Sequence, residues 1–282
     1  MLRALSSGVS GIQQFQNRLD VIGNNIANSN TIAFKSARTD FADAFSQTLQ
    51  VSSASSSGSG QAGMQVGSGV VTAAVKNLFT QGAVNRTGVG TDLAIDGDGF
   101  FIVKDPASGI LYATRAGDFR LDSGGYLITN KGLRVQGGVP SATDPIQDIM
   151  IDAQFAPATT DPTATMTTFS IGRDGSVNVK MSDGTEFVRG VLLLDRYSDP
   201  QALLKQGDNL FSGLAAAGPL SAMSQPGTMG LGKIESSALE LSNVDLANEF
   251  ANLIVTQRGF QASARIITTS DEILQELVNL KR

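Results

Sequence analysis

Both ends of this chain carry an apolar stripe at coiled-coil spacing. At the start it is Leu2, Leu5, Val9, Ile12, Phe15, Leu19, Ile22 and Ile26. At the end it is Leu246, Phe250, Leu253, Phe260, Ala264, Ile267, Leu274 and Val278. Steps of three and four residues put each set on one side of a helix, where it must find an apolar partner. Neither helix has a helical neighbour in sequence, so each is the other's first candidate partner. Gln257 and Asp271 fall on the second stripe, and polar residues at such positions trade stability for a fixed register and partner number. The stripes, with Gln257, are therefore the candidate self-assembly surface. A monomer whose two helices merely cover a β-domain is the alternative reading of the same pattern.

The first helix is expected over residues 2–27, with Asn28, Ser29 and Asn30 as its stop. Gly8, Gly11 and Gly23 lie inside it, each costing about 1 kcal/mol relative to Ala, so it becomes firm only when packed. An amphipathic stretch follows over residues 31–49, anchored by Phe34, Phe41 and Phe45. Residues 52–60 (SSASSSGSG) are small, polar and of low complexity, as flexible linkers are. Gly58, Gly60, Gly63 and Gly67 in and beside it are the candidate hinge. The last helix is expected from Ser242 as N-cap, with Asp245 in its first turn and Lys281 and Arg282 closing it on the favourable side of the dipole.

Between the helices the sequence reads as β-structure. Residues 70–75, 93–95 and 100–103 are short strand candidates, and 191–194 is a continuous apolar run expected as a buried strand. Gly-bearing segments at 96–99, 122–125, 173–175 and 182–184 are expected hairpin turns, because Gly accepts the positive φ these turns require. The Pro- and Thr-rich stretch 157–168 is expected as a loop or edge. No βαβ alternation occurs, which excludes a doubly wound sheet. The expected fold is α+β: terminal helices forming a coiled-coil domain (1–30 and 243–282), linking segments (31–69 and 235–242), and a central, mainly antiparallel β-domain (70–234).

Composition removes most chemistry. The 282 residues include no Cys, His or Trp. Disulfides, thiolate–zinc sites and thiol nucleophiles are thus excluded, as is the commonest general base. With 21 basic and 26 acidic residues the net charge is −5, which argues against nucleic acid as a partner. No run of 18 apolar residues exists to span a membrane, and no uninterrupted apolar core follows Arg3, so no cleaved secretory signal is expected. The piece Asp96-Gly97-Asp98-Gly99 lacks the further oxygen ligands of a calcium loop and reads as a turn. No phosphate-cradling glycine motif appears, and Asn85-Arg86-Thr87 is a glycosylation triplet too short to inform. No enzyme, cofactor or metal is expected.

Four stretches carry a resemblance. Leu19-Asp20-Val21-Ile22-Gly23-Asn24-Asn25-Ile26-Ala27-Asn28-Ser29-Asn30-Thr31, continuing to Ala33-Phe34-Lys35, resembles the N-terminal signature of bacterial flagellar rod and hook proteins. Asp92-Leu93-Ala94-Ile95-Asp96-Gly97-Asp98-Gly99-Phe100-Phe101 is similar to the motif opening that family's β-domain, and Thr114-Arg115-Ala116-Gly117-Asp118-Phe119 to the stretch after it. Asn243-Val244-Asp245-Leu246 and Ile254-Val255-Thr256-Gln257-Arg258-Gly259-Phe260-Gln261-Ala262 resemble its C-terminal signature. Within the family the spelling at Gly23-Asn24-Asn25, at Gly259-Phe260 and at the chain end is hook-like. The chain is short for a hook protein and lacks an added outer domain, which leaves a distal rod protein as the second reading.

The resemblance implies a tubular helical homopolymer in the flagellum, outside the cell body. A hook joins rod to filament and transmits torque as a universal joint; a rod is a rigid drive shaft. Implied partners are further copies, other axial proteins (distal rod, hook–filament junction, hook cap) and the flagellar export apparatus, with neither nucleic acid nor membrane insertion. For a hook, the Gly/Ser segment would supply the compliance that bending needs.

Overall fold

The computed structural model describes residues 2–52, 62–138, 146–152, 165–220 and 223–280. Helix α1 (Leu2–Ala27) is followed by β1 (Ala37–Asp43), β2 (Ser46–Gln50), β3 (Met64–Gly67) and β4 (Val70–Asn77). Then come β5 (Val84–Arg86), β6 (Leu93–Asp96), β7 (Phe100–Lys104), β8 (Leu111–Thr114), β9 (Arg120–Leu121), β10 (Leu127–Ile128), β11 (Arg134–Gly138) and β12 (Gln147–Asp148). The longer strands β13 (Met166–Ile171), β14 (Ser176–Met181) and β15 (Glu186–Leu192) precede β16 (Leu194–Asp195), β17 (Leu204–Gly207) and β18 (Leu210–Ser212). A single helical turn, α2 (Leu214–Ala217), leads to β19 (Lys233–Ser236), β20 (Ala238–Glu240) and the 35-residue α3 (Leu246–Leu280).

The chain divides into two units: Met1–Ser29 with Ser36–Leu78 and Val244–Arg282, and Asn30–Lys35 with Phe79–Asn243. These boundaries differ from the expected ones at both ends. β4 opens no β-domain; it pairs antiparallel with β1, from Ala37 opposite Asn77 to Asp43 opposite Val70, and the ribbon packs on α1. The amphipathic stretch over residues 31–49 holds β1 and most of β2. Its anchors part company: Phe34 is buried in the second unit, Phe41 packs on α1 and Phe45 is exposed.

The second unit is antiparallel throughout. Its main sheet runs β13-β14-β15-β11-β7-β8-β18-β17, while β19 pairs with β6 and β20 with β5. Strand β7 alternates between two cores: Phe101 and Val103 enter the larger one, Phe100 and Ile102 the other. Period-two alternation with apolar residues on both faces marks a strand covered on both sides. Val191, Leu192 and Leu194 are buried as expected. The turns at 122–125, 173–175 and 182–184 join β9–β10, β13–β14 and β14–β15, with Gly125, Gly175 and Gly184 at positive φ. The turn at 96–99 departs from expectation: β6 goes to β19 rather than β7, so this turn links two sheets. Of the 157–168 stretch, Met166 to Thr168 enter β13 and residues 157–164 lie outside the described ones.

Candidate assembly interface

In the first unit α1 and α3 pack against each other, and the order of their contacts makes them antiparallel. Gly8 meets Ile267 and Ser263, Gly11 meets Ser263, Phe15 meets Gly259, and Asn25 reaches Glu249. A Cβ on Gly11 would lie 3.0 Å from the Ser263 hydroxyl, and one on Gly259 would lie 2.6 Å from the Phe15 ring. Of the glycines that weaken the isolated helix, Gly8 and Gly11 let the pair approach. Phe15, seated on Gly259, also stacks edge-on against Phe41 at 6.3 Å.

The face α3 turns to α1 has two heptad rows. One is Leu253, Phe260, Ile267 and Leu274, all half-buried; the other is Glu249, Thr256, Ser263 and Ser270, the last three buried. Thr256 and Ser270 donate their hydroxyls to the Asn252 and Ile266 carbonyls one turn back, so burial leaves them satisfied. Ala264, Leu5, Ile12, Phe15, Leu19 and Ile26 are half-buried, Ile22 is buried and Val9 is exposed. Leu2 lies in α1, but its side chain is outside the described ones. Leu246, Phe250 and Val278 are exposed, and so are Gln257 and Asp271, which were expected in the seam. The polar seam residues are instead Thr256, Ser263 and Ser270. Hydropathy overlooks such small hydroxyl residues, although their seven-residue spacing is visible in the sequence.

Away from this seam α3 carries further large apolar side chains that are exposed. Ile254, Val255, Ile273, Leu277 and Leu280 are all exposed, as are Leu246, Phe250 and Val278. So many large apolar side chains on one helix mark a protein-contact surface rather than a solvated one.

Asn25 ties the unit together. Its amide donates to the Ala37 carbonyl at 2.8 Å and to Glu249 Oε1 at 3.1 Å, while its oxygen accepts the Ala37 N–H at 3.0 Å. It is buried. One side chain thus joins α1, the start of β1 and the first turns of α3, a role that spacing could not show. The cap of α3 is Asp245, which accepts from Ala247 and Asn248, not Ser242. Lys281 and Arg282 lie outside the described residues.

Of the expected hinge, Gly67 falls in a paired strand and Gly63 just precedes it. β2 and β3 form an antiparallel ribbon in which Gly67 lies opposite Ser46, and Gly63 packs beside the Gln50 carbonyl. Gly58 and Gly60 lie outside the described residues. Phe45, Leu49, Val51 and Met64 on or beside this ribbon are exposed. Two strands alone are marginal in water, so apolar side chains there mark a docking element.

In the second unit a 390 Å³ cleft is lined by Thr31, Asp118, Asn130, Lys131 and Asp208 among others. Its polar groups pair with one another: Asn130 donates to Asp118 at 2.5 Å, and Lys131 pairs with Asp208. Burial raises the Asp118 pKa above the usual carboxylate value. Among the described residues no cluster of His, Cys, Asp or Glu is placed to hold a metal, and no helix is long and apolar enough to cross a membrane.

The sequence is similar to those of known proteins. Residues 5–35 match the family described as flagella basal body rod protein. Residues 94–179 match the flagellar hook protein FlgE/F/G D1 domain, and 235–280 the flagellar basal body rod FlgEFG protein C-terminal. The flagellar basal-body rod protein FlgG of Bacillus subtilis is 44% identical over 286 aligned residues, covering all of both chains. That of Borreliella burgdorferi is 34% identical over 285, again covering both in full. The flagellar hook protein FlgE of Borreliella burgdorferi is 28% identical, in an alignment spanning 445 positions.

Proposed function

The chain belongs to the FlgE/F/G family of flagellar rod and hook proteins, and on that footing we propose that it is a rod subunit. Membership makes it a structural component of the flagellum rather than an enzyme. The observation that carries the rod reading is full-length correspondence. The chain aligns over 286 and 285 positions with two rod proteins, whereas the hook protein needs 445 positions to accommodate it. This reverses the preference that the hook-like spelling at Gly259-Phe260 had raised.

In this reading α1 and α3 pair within one subunit, and the outer apolar face of α3 takes the next copy. The β2–β3 ribbon supports a rigid shaft, because a paired ribbon with apolar side chains on offer makes locked contacts rather than a compliant joint. Its partners are further copies, adjoining axial proteins and the export apparatus that delivers it beyond the inner membrane.

Purified full-length protein should polymerise into straight tubes under electron microscopy. Ile273→Glu with Leu277→Glu should keep the monomer's helix content and abolish tubes. Curved tubes with unequal axial spacing would restore the hook reading, and unimpaired tubes from the double variant would displace the contact from this face of α3.

A further inference from the structure

Three stretches far apart in sequence meet in the second unit around a buried carboxylate. Lys35 Nζ donates to Glu240 Oε1 at 2.6 Å and to the Thr80 carbonyl at 2.8 Å. The Gly82 N–H donates to the same Oε1 at 2.8 Å, and Arg115 reaches Oε2 at 3.5 Å. Lys35, Arg115 and Glu240 expose 1%, 3% and 1% of their surface, so none is screened by bulk water. The Arg115 guanidinium lies 5.3 Å from the centre of the Phe100 ring, and its Nε has no hydrogen-bond partner. The cluster therefore holds two cations against one carboxylate within hydrogen-bond reach. Desolvation lowers the Lys35 pKa, with Glu240 opposing it.

The backbone follows the same convergence. Ala33 N–H donates to the Glu240 carbonyl at 2.8 Å, Leu241 N–H to that of Ala83 at 2.8 Å, and Asn243 N–H to that of Phe34 at 3.3 Å. There is no slack in the fit: a Cβ on Gly82 would lie 2.0 Å from the Leu241 carbonyl oxygen.

We propose that Glu240 is the closing counter-charge of the β unit, a device that prevents the unit from completing its fold until the C-terminal stretch arrives. Glu240 stands 205 residues beyond Lys35 and 125 beyond Arg115, on the last strand of the chain. A chain supplied N-terminus first holds both cations, and the strands that bury them, long before it holds their partner. Closing the sheet in that state would bury two charges without the carboxylate they share, which costs more than leaving the end open to water. Docking of β20 on β5 and of β19 on β6 supplies the carboxylate and the missing strand edges together. The inference holds for rod and hook alike.

The test is urea-jump kinetics on the full-length chain. Its three tyrosines, Tyr112, Tyr126 and Tyr197, all lie in this unit and report its folding. Glu240→Gln keeps the shape and removes the charge. It should shift the folding equilibrium of the unit by about 100-fold or more, nearly all of it as faster unfolding with the folding rate unchanged. Lys35→Met combined with Glu240→Gln should recover at least about tenfold of that loss. If Glu240→Gln alone fails to fold, recovery of the tyrosine signal by the pair supports the device. An unshifted equilibrium, a folding rate that falls in step with stability, or a double variant no better than Glu240→Gln would each overturn it.

Discussion

Replacing Asn25 by Asp changes one atom's chemistry at the point where three elements of the first unit meet. The oxygen that accepts the Ala37 N–H is kept, but the donor to the Ala37 carbonyl and to Glu249 is lost. Two lost hydrogen bonds are worth about 1 kcal/mol each. The introduced carboxylate also stands near 3.1 Å from that of Glu249. Two like charges at that separation repel by roughly 5 kcal/mol at an effective dielectric of about 20. The side chain escapes part of this by taking up a proton, which at neutral pH costs about 4 kcal/mol from a reference pKa near 3.9. One donor then returns, so the penalty is limited to about 5 kcal/mol. Asn25→Ala loses all three hydrogen bonds but adds no charge, for about 3 kcal/mol. Aspartate should therefore be worse than alanine at neutral pH.

The order should reverse in acid. The introduced group has a folded-state pKa raised by its neighbour, so its contribution is fully present below the unfolded pKa and is lost as pH climbs through the folded one. Among the described residues almost all helix is α1 and α3, so far-UV ellipticity during urea unfolding reads this unit. If Asn25→Asp is no worse than Asn25→Ala at neutral pH, or its deficit does not shrink near about pH 4, the bracket at Ala37 and Glu249 has been misjudged.

Three further outcomes follow from the packing. Gly117→Ala puts a Cβ 1.7 Å from the Leu93 carbonyl oxygen, a backbone atom in β6. It should destabilise the β unit by about 3 kcal/mol or more, read as a lower urea midpoint of the tyrosine signal. Leu253→Asp places a charge in the α1–α3 seam and should abolish helical pairing and polymer formation while leaving the tyrosine transition in place. Because burial raises the Asp118 pKa, its contribution is fully present below the unfolded value and is lost as pH rises through the folded one. Asp118→Asn should therefore stabilise the unit at neutral pH and do nothing in acid, as thermal unfolding at the two pH values will show.

Local signals set the parts that depend on neighbours in sequence. Periodicity placed a helix at each end, because a row of apolar side chains every three or four residues fits no other backbone. Glycine placed three of the hairpin turns, since positive φ excludes most other residues at Gly125, Gly175 and Gly184. What periodicity cannot say is which of two apolar faces is covered. α3 turns Leu253, Phe260, Ile267 and Leu274 inward, where Gly8 and Gly11 let Ser263 and Ile267 come close, and leaves Ile273 and Leu277 exposed. Neither could spacing pair β1 with β4, place Gly67 opposite Ser46 in the β2–β3 ribbon, or bring Glu240 to Lys35. Those contacts are decided by loop closure and by the cost of burying a charge or a backbone group alone, and both quantities exist only once the whole chain is folded.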